Sequence, residues 1–525
     1  MTVRRNARET SQPRRRWPLC AGLLSALLLS LVGCSVGPEF ARPQTTVNPE
    51  WSDKSDPHLS TQTPADSAWW NGFHDPALDT LVDLAYRQNL TLQVAGLRIM
   101  EARAQLGLAT GRKWPQVQAV SASATAVGLS NNGKTPVFDR NFWDYQVGFD
   151  AFWELDFWGK YRRDIEAQRA SYFAAIADYE DALVSLLAEV ARTYAVIRTQ
   201  EVLLAQARAN ATLQEDGLRI AQSRFRNGAT SELDVAQATT LLESTRATIP
   251  QLEANVRQAE NALCTLLGQP TGTVDALLTQ SQGIPVPPEA VAVSVPAELL
   301  RRRPDVRSAE LNAASQCARI GVAKADLYPS FALAGSIGSQ TSSLKKLFSA
   351  GSFFYSVGPR AIWTIFNYGR IENNVRIQDA RFEQLLMNYH DTVLRAAQEV
   401  EDQLTGYLKA REAAQFAENA ANGAQRSVDI SLSQYREGAV DYQRVLDAER
   451  SLLQEQNTLA ETRSSIATNL IALYKALGGG WEMHEGQPYV SEGTRHEMEQ
   501  RTNWGSYLKE PHAQHTSNGS SETPR

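Results

Sequence analysis

The sequence predicts an α+β membrane protein made of a duplicated unit, with four membrane-spanning β-strands per chain and very long helices. Three observations carry this. The chain contains itself twice, 210 residues apart: Phe225-Arg226-Asn227-Gly228-Ala229 recurs as Tyr435-Arg436-Glu437-Gly438-Ala439, and Gly159-Lys160 recurs as Gly369-Arg370. Asn261-Ala262-Leu263 with Leu267-Gly268 likewise recurs as Ile471-Ala472-Leu473 with Leu477-Gly478. Each copy holds apolar-polar alternation of membrane-strand length, followed by a helical run too long for a globular domain. Two copies of one unit imply pseudo-symmetry, which builds a wall or ring rather than a pocket.

Residues 34–77, rich in Pro, Ser, Asp and Trp, read as an extended lead-in. The first copy, 78–268, opens with a helix over Leu78–Ala109, where apolar residues recur at helical spacing. Past Trp114-Pro115, residues 117–127 alternate small polar and apolar side chains. A polar loop then leads to 143–157. There Tyr145, Val147, Phe149, Ala151, Trp153, Leu155 and Phe157 oppose Gln146, Gly148, Asp150, Glu154 and Asp156, with Phe152 the exception. Period two over such a length exceeds an average soluble strand and meets the 9–11 residues or so of a tilted membrane strand.

Residues 160–224 contain no Pro and only Gly217, so a helix of about 100 Å is predicted at 1.5 Å per residue. It breaks at Asn227-Gly228 and returns over 232–267, with a kink expected at Pro250 and a stop at Gly268-Gln269-Pro270. A linker, 269–296, precedes the second copy, 297–480. That copy repeats the order: a helix ending near Ala325, strands at about 331–339 and 353–366, a long helix over 370–435 and a return helix over 441–477. Trp114-Pro115 and Tyr328-Pro329 are 214 apart, so only the segment between them and the glycine changed length. Residues 481–525 turn polar and read as a short docked piece followed by a largely disordered tail. Four amphipathic strands cannot cross a membrane alone, because their edges would leave unpaired backbone groups in lipid. Several chains must pool their strands, and three chains give twelve.

The composition, 43% apolar and 21% charged, is that of a folded protein. No stretch after residue 33 reaches the ~20 apolar residues of a spanning helix. The formal net charge is −6, and removal of the Arg-rich residues 1–33 makes it more negative, which argues against a nucleic-acid partner. Seven His without metal-ligand spacing, and no phosphate loop or nucleophile elbow, argue against an enzyme; no cofactor is expected. Cys264 and Cys317 lie on helical patterns and read as buried thiols, with a disulfide left open.

The N-terminus has a basic region (Arg4, Arg5, Arg8, Arg14, Arg15, Arg16), an apolar run from Leu19 to Val32, and Gly33-Cys34. This resembles a bacterial lipoprotein signal spanning 1–33. The resemblance implies cleavage before Cys34 and acylation of Cys34, and Ser35, rather than Asp, favours the outer membrane.

The whole chain from Cys34 to about Trp481 resembles the TolC-type outer-membrane efflux proteins, in the NodT or OprM-like lipoprotein branch. The matching residues are Trp69-Trp70, Phe73, Asp75-Pro76 and Leu78; Leu299-Leu300-Arg301-Arg302-Arg303-Pro304-Asp305-Val306; Ala325-Asp326-Leu327-Tyr328-Pro329; and Tyr474-Lys475-Ala476-Leu477-Gly478-Gly479-Gly480-Trp481. The resemblance implies a homotrimer with a twelve-stranded barrel in the outer membrane, continuous with a helical barrel across the periplasm. It also implies a passive exit duct fed by an inner-membrane resistance-nodulation-division (RND) pump through a periplasmic adaptor.

By the same resemblance, the tips around Arg226, Gly228 and Thr230 and around Arg436, Gly438 and Asp441 would meet the adaptor. Gly228 and Gly438 are in any case what a hairpin turn requires. Asp447 and Arg450, three apart on one helix face, would line the periplasmic aperture, and a surface ion pair is the competing reading. A ring of three carboxylates would favour cations. Gln443 stands one turn before Asp447, where an apolar ring would have sealed the aperture, and Asp234 takes an analogous place in the first copy. Arg301 to Arg303 are expected in an intramolecular charge network. The alternatives are an exit duct for secreted proteins and a non-conducting periplasmic coiled-coil scaffold; the aromatic strand faces speak against the scaffold.

Overall fold

The computed structural model describes residues 35–44, 47–53, 56–60, 68–130, 132, 139–288, 291–292 and 302–508. Cys34, the signal segment, Arg301 and the tail beyond 508 lie outside the described residues. The chain divides into two units. Its main elements are α1 (Pro76–Gln88), α2 (Leu90–Arg112), β1 (Val117–Gly128), β2 (Asn141–Leu155), α3 (Lys160–Arg226) and α4 (Glu232–Leu266). The second half follows with α5 (Pro304–Ala325), β3 (Ser330–Thr341), β4 (Phe353–Ile362), α6 (Arg370–Glu437), α7 (Tyr442–Ala476) and α8 (Glu492–Arg501).

The first unit (residues 35–41, 105–169 and 314–383) holds one antiparallel sheet in the order β1-β2-β3-β4. The two copies meet at its centre, where β2 pairs with β3 from Tyr145↔Thr341 to Leu155↔Phe331. The register sorts the side chains. One face carries Val120, Trp143, Tyr145, Val147, Phe149, Leu333, Ile337, Tyr355 and Val357; the other carries Asp144, Gln146, Asp150, Gln340, Ser336 and Arg360. The apolar face is exposed, with Val120 at 78%, Tyr355 at 73% and Val357 at 70%. On the polar face Gly148 sits opposite Gly338, and a Cβ on Gly338 would come 2.5 Å from the Val147 carbonyl and 3.1 Å from the Phe354 ring. Only glycine fits there.

The strands end where their partners do. β4 stops at Ile362 rather than 366, because its pairing with β3 runs out at Ser330↔Ile362. β2 stops at Leu155 rather than 157, because Asp156 turns to cap α3, accepting from the backbone N–H groups of Tyr161 (2.9 Å) and Arg162 (3.0 Å).

The described residues of the second unit (within 42–104, 170–313 and 384–508) are mainly helical, with one short parallel pairing of Leu59–Ser60 with Val291–Ala292. The opening helix is divided: Asn89 leaves the helical conformation (ψ 124°), and its side-chain oxygen accepts from Leu92 N–H at 2.8 Å while its amide donates to the Leu266 carbonyl at 2.8 Å. Asn supplies both a stop and a start, which periodicity alone reads through. α4 runs unbroken through Pro250. From Trp481 the chain forms α8 and short helical turns at Trp481–His484 and Gly505–Leu508. Val490, Met498 and Leu508 are buried, Arg103 donates to the Tyr507 carbonyl at 2.6 Å, and Gly96 admits the Tyr489 carbonyl where a Cβ would clash. The three apolar side chains lie within an otherwise polar segment.

Arg303 is buried in an intramolecular network, donating to Asp305 (2.7 Å), Glu399 (2.9 Å) and the Ala476 carbonyl (2.7 Å). Cys264 and Cys317 are free and buried. Among the described residues no helix is long and apolar enough to cross a membrane, and no cluster suits a metal ion.

Candidate functional site: the two helical tips

The long helices end in hairpins built on one backbone plan. Gly228 (φ 69°) and Gly438 (φ 82°) take the left-handed conformation. Ala229 N–H donates to the Arg224 carbonyl at 2.8 Å, and Ala439 N–H donates to the Gln434 carbonyl at 2.8 Å. These positions are again 210 apart. Gly159 and Gly369 (78° and 77°) and Gly268 and Gly478 (66° and 71°) repeat the match at the other helix ends.

Between the tips lies a small apolar cluster: Ala221, Ala238, Leu241, Tyr435, Tyr442, Val445 and Leu446 are buried. Arg224 ties the two turns together. It donates to the Tyr435 carbonyl at 2.6 Å, lies over the Tyr435 ring at 4.9 Å, and reaches the Arg436 and Ala229 carbonyls at 3.4 Å. A cation at the C-terminal ends of α3 and α6 also meets the negative ends of their dipoles. Tyr435 donates to Asp234 Oδ2 at 3.1 Å, and Thr230 donates to the same oxygen. Burial raises the Tyr435 pKa, and Asp234 adds to the effect.

The sequence-derived residues fall into two groups. Arg226, Gly228, Arg436, Gly438 and Asp441 are exposed on the turns, with Thr230 half-buried beside them. Asp441 precedes α7 without a side-chain capping bond. On α7, Gln443, Asp447 and Arg450 are exposed, and Gln443 donates to Asp447 Oδ1 at 2.8 Å. No ion pair joins Asp447 to Arg450 among the described residues. Asp234 is only half exposed and turned into the contact with Tyr435.

Sequence reasoning passed over Arg224 and Glu449. Glu449 left a signal: it falls on the buried stripe Tyr442, Val445, Leu446, Glu449, Leu452, where helical spacing expects an apolar residue. Burial raises its pKa to about 7.

An amphipathic four-stranded sheet, together with helices of nearly 70 residues that end in hairpin tips, is the pattern of an outer-membrane channel protein. The family model for outer membrane efflux proteins matches residues 81–269 and 295–479, and the chain belongs to that family. It is a family of transport proteins of the outer membrane, not of enzymes. The chain is 32% identical to Nodulation protein T of Rhizobium leguminosarum bv. viciae over 464 residues, covering 88% of this chain and 93% of that one. It is 30% identical to the cation efflux system protein CusC of Escherichia coli K12 over 470 residues, covering 88% and 99%. In structure it is similar to the outer-membrane channel OprN, with a TM-score of 0.81 and 32% identity over 86% of this chain and all of that one.

Proposed function

We propose that this protein is the outer-membrane exit duct of a tripartite efflux assembly. The observation that carries this reading is the open sheet: among the described residues β1 and β4 each pair on one side only, and the apolar face is bare. Backbone groups at such edges must be paired before the sheet can enter lipid. Three chains, each giving four strands, close a twelve-stranded barrel. The apolar face then meets lipid, and Asp144, Gln146, Asp150 and Arg360 line the lumen. The long helices continue the wall across the periplasm, and acylated Cys34 anchors each protomer. Conduction is passive: drugs or other small molecules arrive from an inner-membrane RND pump through a periplasmic adaptor that meets the six tips at Arg226, Gly228, Thr230, Arg436, Gly438 and Asp441. Asp447 and Arg450, with Gln443 and Asp234 nearby, form the narrow end.

Deletion of the gene, with the partner pump expressed, should raise susceptibility across a panel of drugs and solvents. An unchanged panel, or recovery of the protein in the soluble periplasm, would sink the reading. In planar bilayers the purified protein should conduct as a trimer, and Asp447→Ala should raise conductance by widening the aperture. Unchanged conductance would move the constriction elsewhere.

A further inference from the structure

A buried acid stands between the two proposed aperture residues. Asp447 and Arg450 are exposed, but Glu449 faces the other way, fully buried, and neither of its carboxylate oxygens has a hydrogen-bond partner. Opposite it on α3 is Gly217. A Cβ there would lie 3.3 Å from Glu449 Oε1 and 3.5 Å from the Tyr442 hydroxyl. The missing side chain leaves a notch in which both polar groups sit. The Tyr442 hydroxyl is also buried and unpartnered, as is the side-chain amide of Gln214, one turn away on α3.

Higher up α3, Asn210 donates to Gln456 at 2.7 Å and Thr199 donates to Ser464 at 2.8 Å, both across to α7, although the Gln206 side-chain oxygen between them is also without a partner. The level beside the aperture differs in holding an ionisable group without one. A carboxyl group buried without a partner is tolerated only when neutral. Among the described residues no cation faces Glu449 to hold its charge. α3 presents Gln214 and Gly217, and α7 presents Tyr442. Beyond Tyr442 lie Tyr435 on α6 and Asp234 on α4, which would oppose a second negative charge. Asp447 and Arg450 point to solvent.

We propose that Glu449 is a proton-operated latch of the second-copy tip: as the neutral acid it keeps α7 seated on α3 and the aperture narrow, and on ionising it drives this face of α7 toward water and opens the duct. The latch rests on the exit-duct reading above. The sign follows from linkage. The closed tip binds the proton more tightly than an exposed carboxyl would. Closure is therefore fully favoured in acid, weakens as pH rises from the ordinary carboxylate range to about 7, and changes little above that.

The test is conductance of the full-length trimer in planar bilayers from pH 5 to pH 8, beside Glu449→Gln and Glu461→Gln. The wild-type ratio of open to closed channels should rise at least about tenfold, the factor carried by one pKa unit. Glu449→Gln should stay at the acid level throughout, whereas Glu461→Gln, at an exposed acid of the same helix, should keep the rise. A flat wild-type profile, or a wild-type rise in Glu449→Gln, overturns the latch and leaves the duct standing. No conductance at any pH overturns both. Infrared titration of the same proteins is independent of gating: the wild type should lose a protonated-carboxyl band near neutral pH that Glu449→Gln lacks from the start. The same band in both overturns the assignment.

Discussion

The two hairpin tips share a backbone and differ in nearly everything their side chains do. Phe225 of the first tip is 44% exposed, whereas its counterpart Tyr435 is 1% exposed and donates to Asp234. Arg224 binds three backbone carbonyls, while its counterpart Gln434 is exposed. α4 begins with Glu232 and Asp234, yet α7 carries no acid in its first turn and buries Tyr442 where α4 has Glu232. Thr239, exposed and bonded to its own helix at the Val235 carbonyl, corresponds to the buried Glu449. Duplication thus preserved what the chain path needs and released the side chains to specialise. The first copy supplies the clasp, and the second supplies the groups that are clasped.

The largest test of this asymmetry is truncation of the matched aromatics. Tyr435→Ala should cost about 3 kcal/mol, the scale for emptying a buried aromatic site. Phe225→Ala should cost under about 1 kcal/mol, as for an exposed position. Hydrogen exchange across residues 218–240 and 430–450 reads both, and equal losses would break the comparison. Next comes Arg224→Ala, which leaves the Tyr435 and Ala229 carbonyls without this donor. We expect a loss of about 1–3 kcal/mol, with faster exchange at both tips, and almost none for Gln434→Ala. Protection lost at the first tip alone would remove the clasp. The smallest effect separates the glycines. Gly228→Ala and Gly438→Ala should share a backbone penalty of about 1 kcal/mol. Only Gly438→Ala also presses on the Arg224 guanidinium, 3.3 Å from the new Cβ, whereas Gly228 has open space. Thermal unfolding in detergent should rank Gly438→Ala as the weaker by a few tenths of a kcal/mol; the reverse order would mean that Arg224 yields freely.

Much of this was legible in the sequence because it is local. The strand from Tyr145 to Leu155 declares itself by alternation, and the tips by Gly228 and Gly438, since period and left-handed turns depend on neighbours in the chain. The break at Asn89 was not legible: its amide serves the Leu266 carbonyl, 177 residues away. Nor was the end of β4, which is set by where β3 begins. The exposed residues Asp447 and Arg450 came forward through the family resemblance, whereas Glu449 between them showed in the sequence only as an acid on an apolar stripe, and its missing partners became visible when α3 was seen across from it.

By itself the sequence determined the duplication, the alternating strand faces, the long helices and the glycine turns, because each follows from periodicity or from a backbone angle only glycine adopts cheaply. The tertiary structure alone decided that β2 of one copy pairs with β3 of the other. It also decided which member of each equivalent pair is buried: Tyr435 rather than Phe225, and Glu449 rather than Thr239. The reason is physical. Burial and unmet hydrogen bonds belong to the contact between helices distant in the chain, and two copies of one sequence motif can stand on opposite sides of that contact.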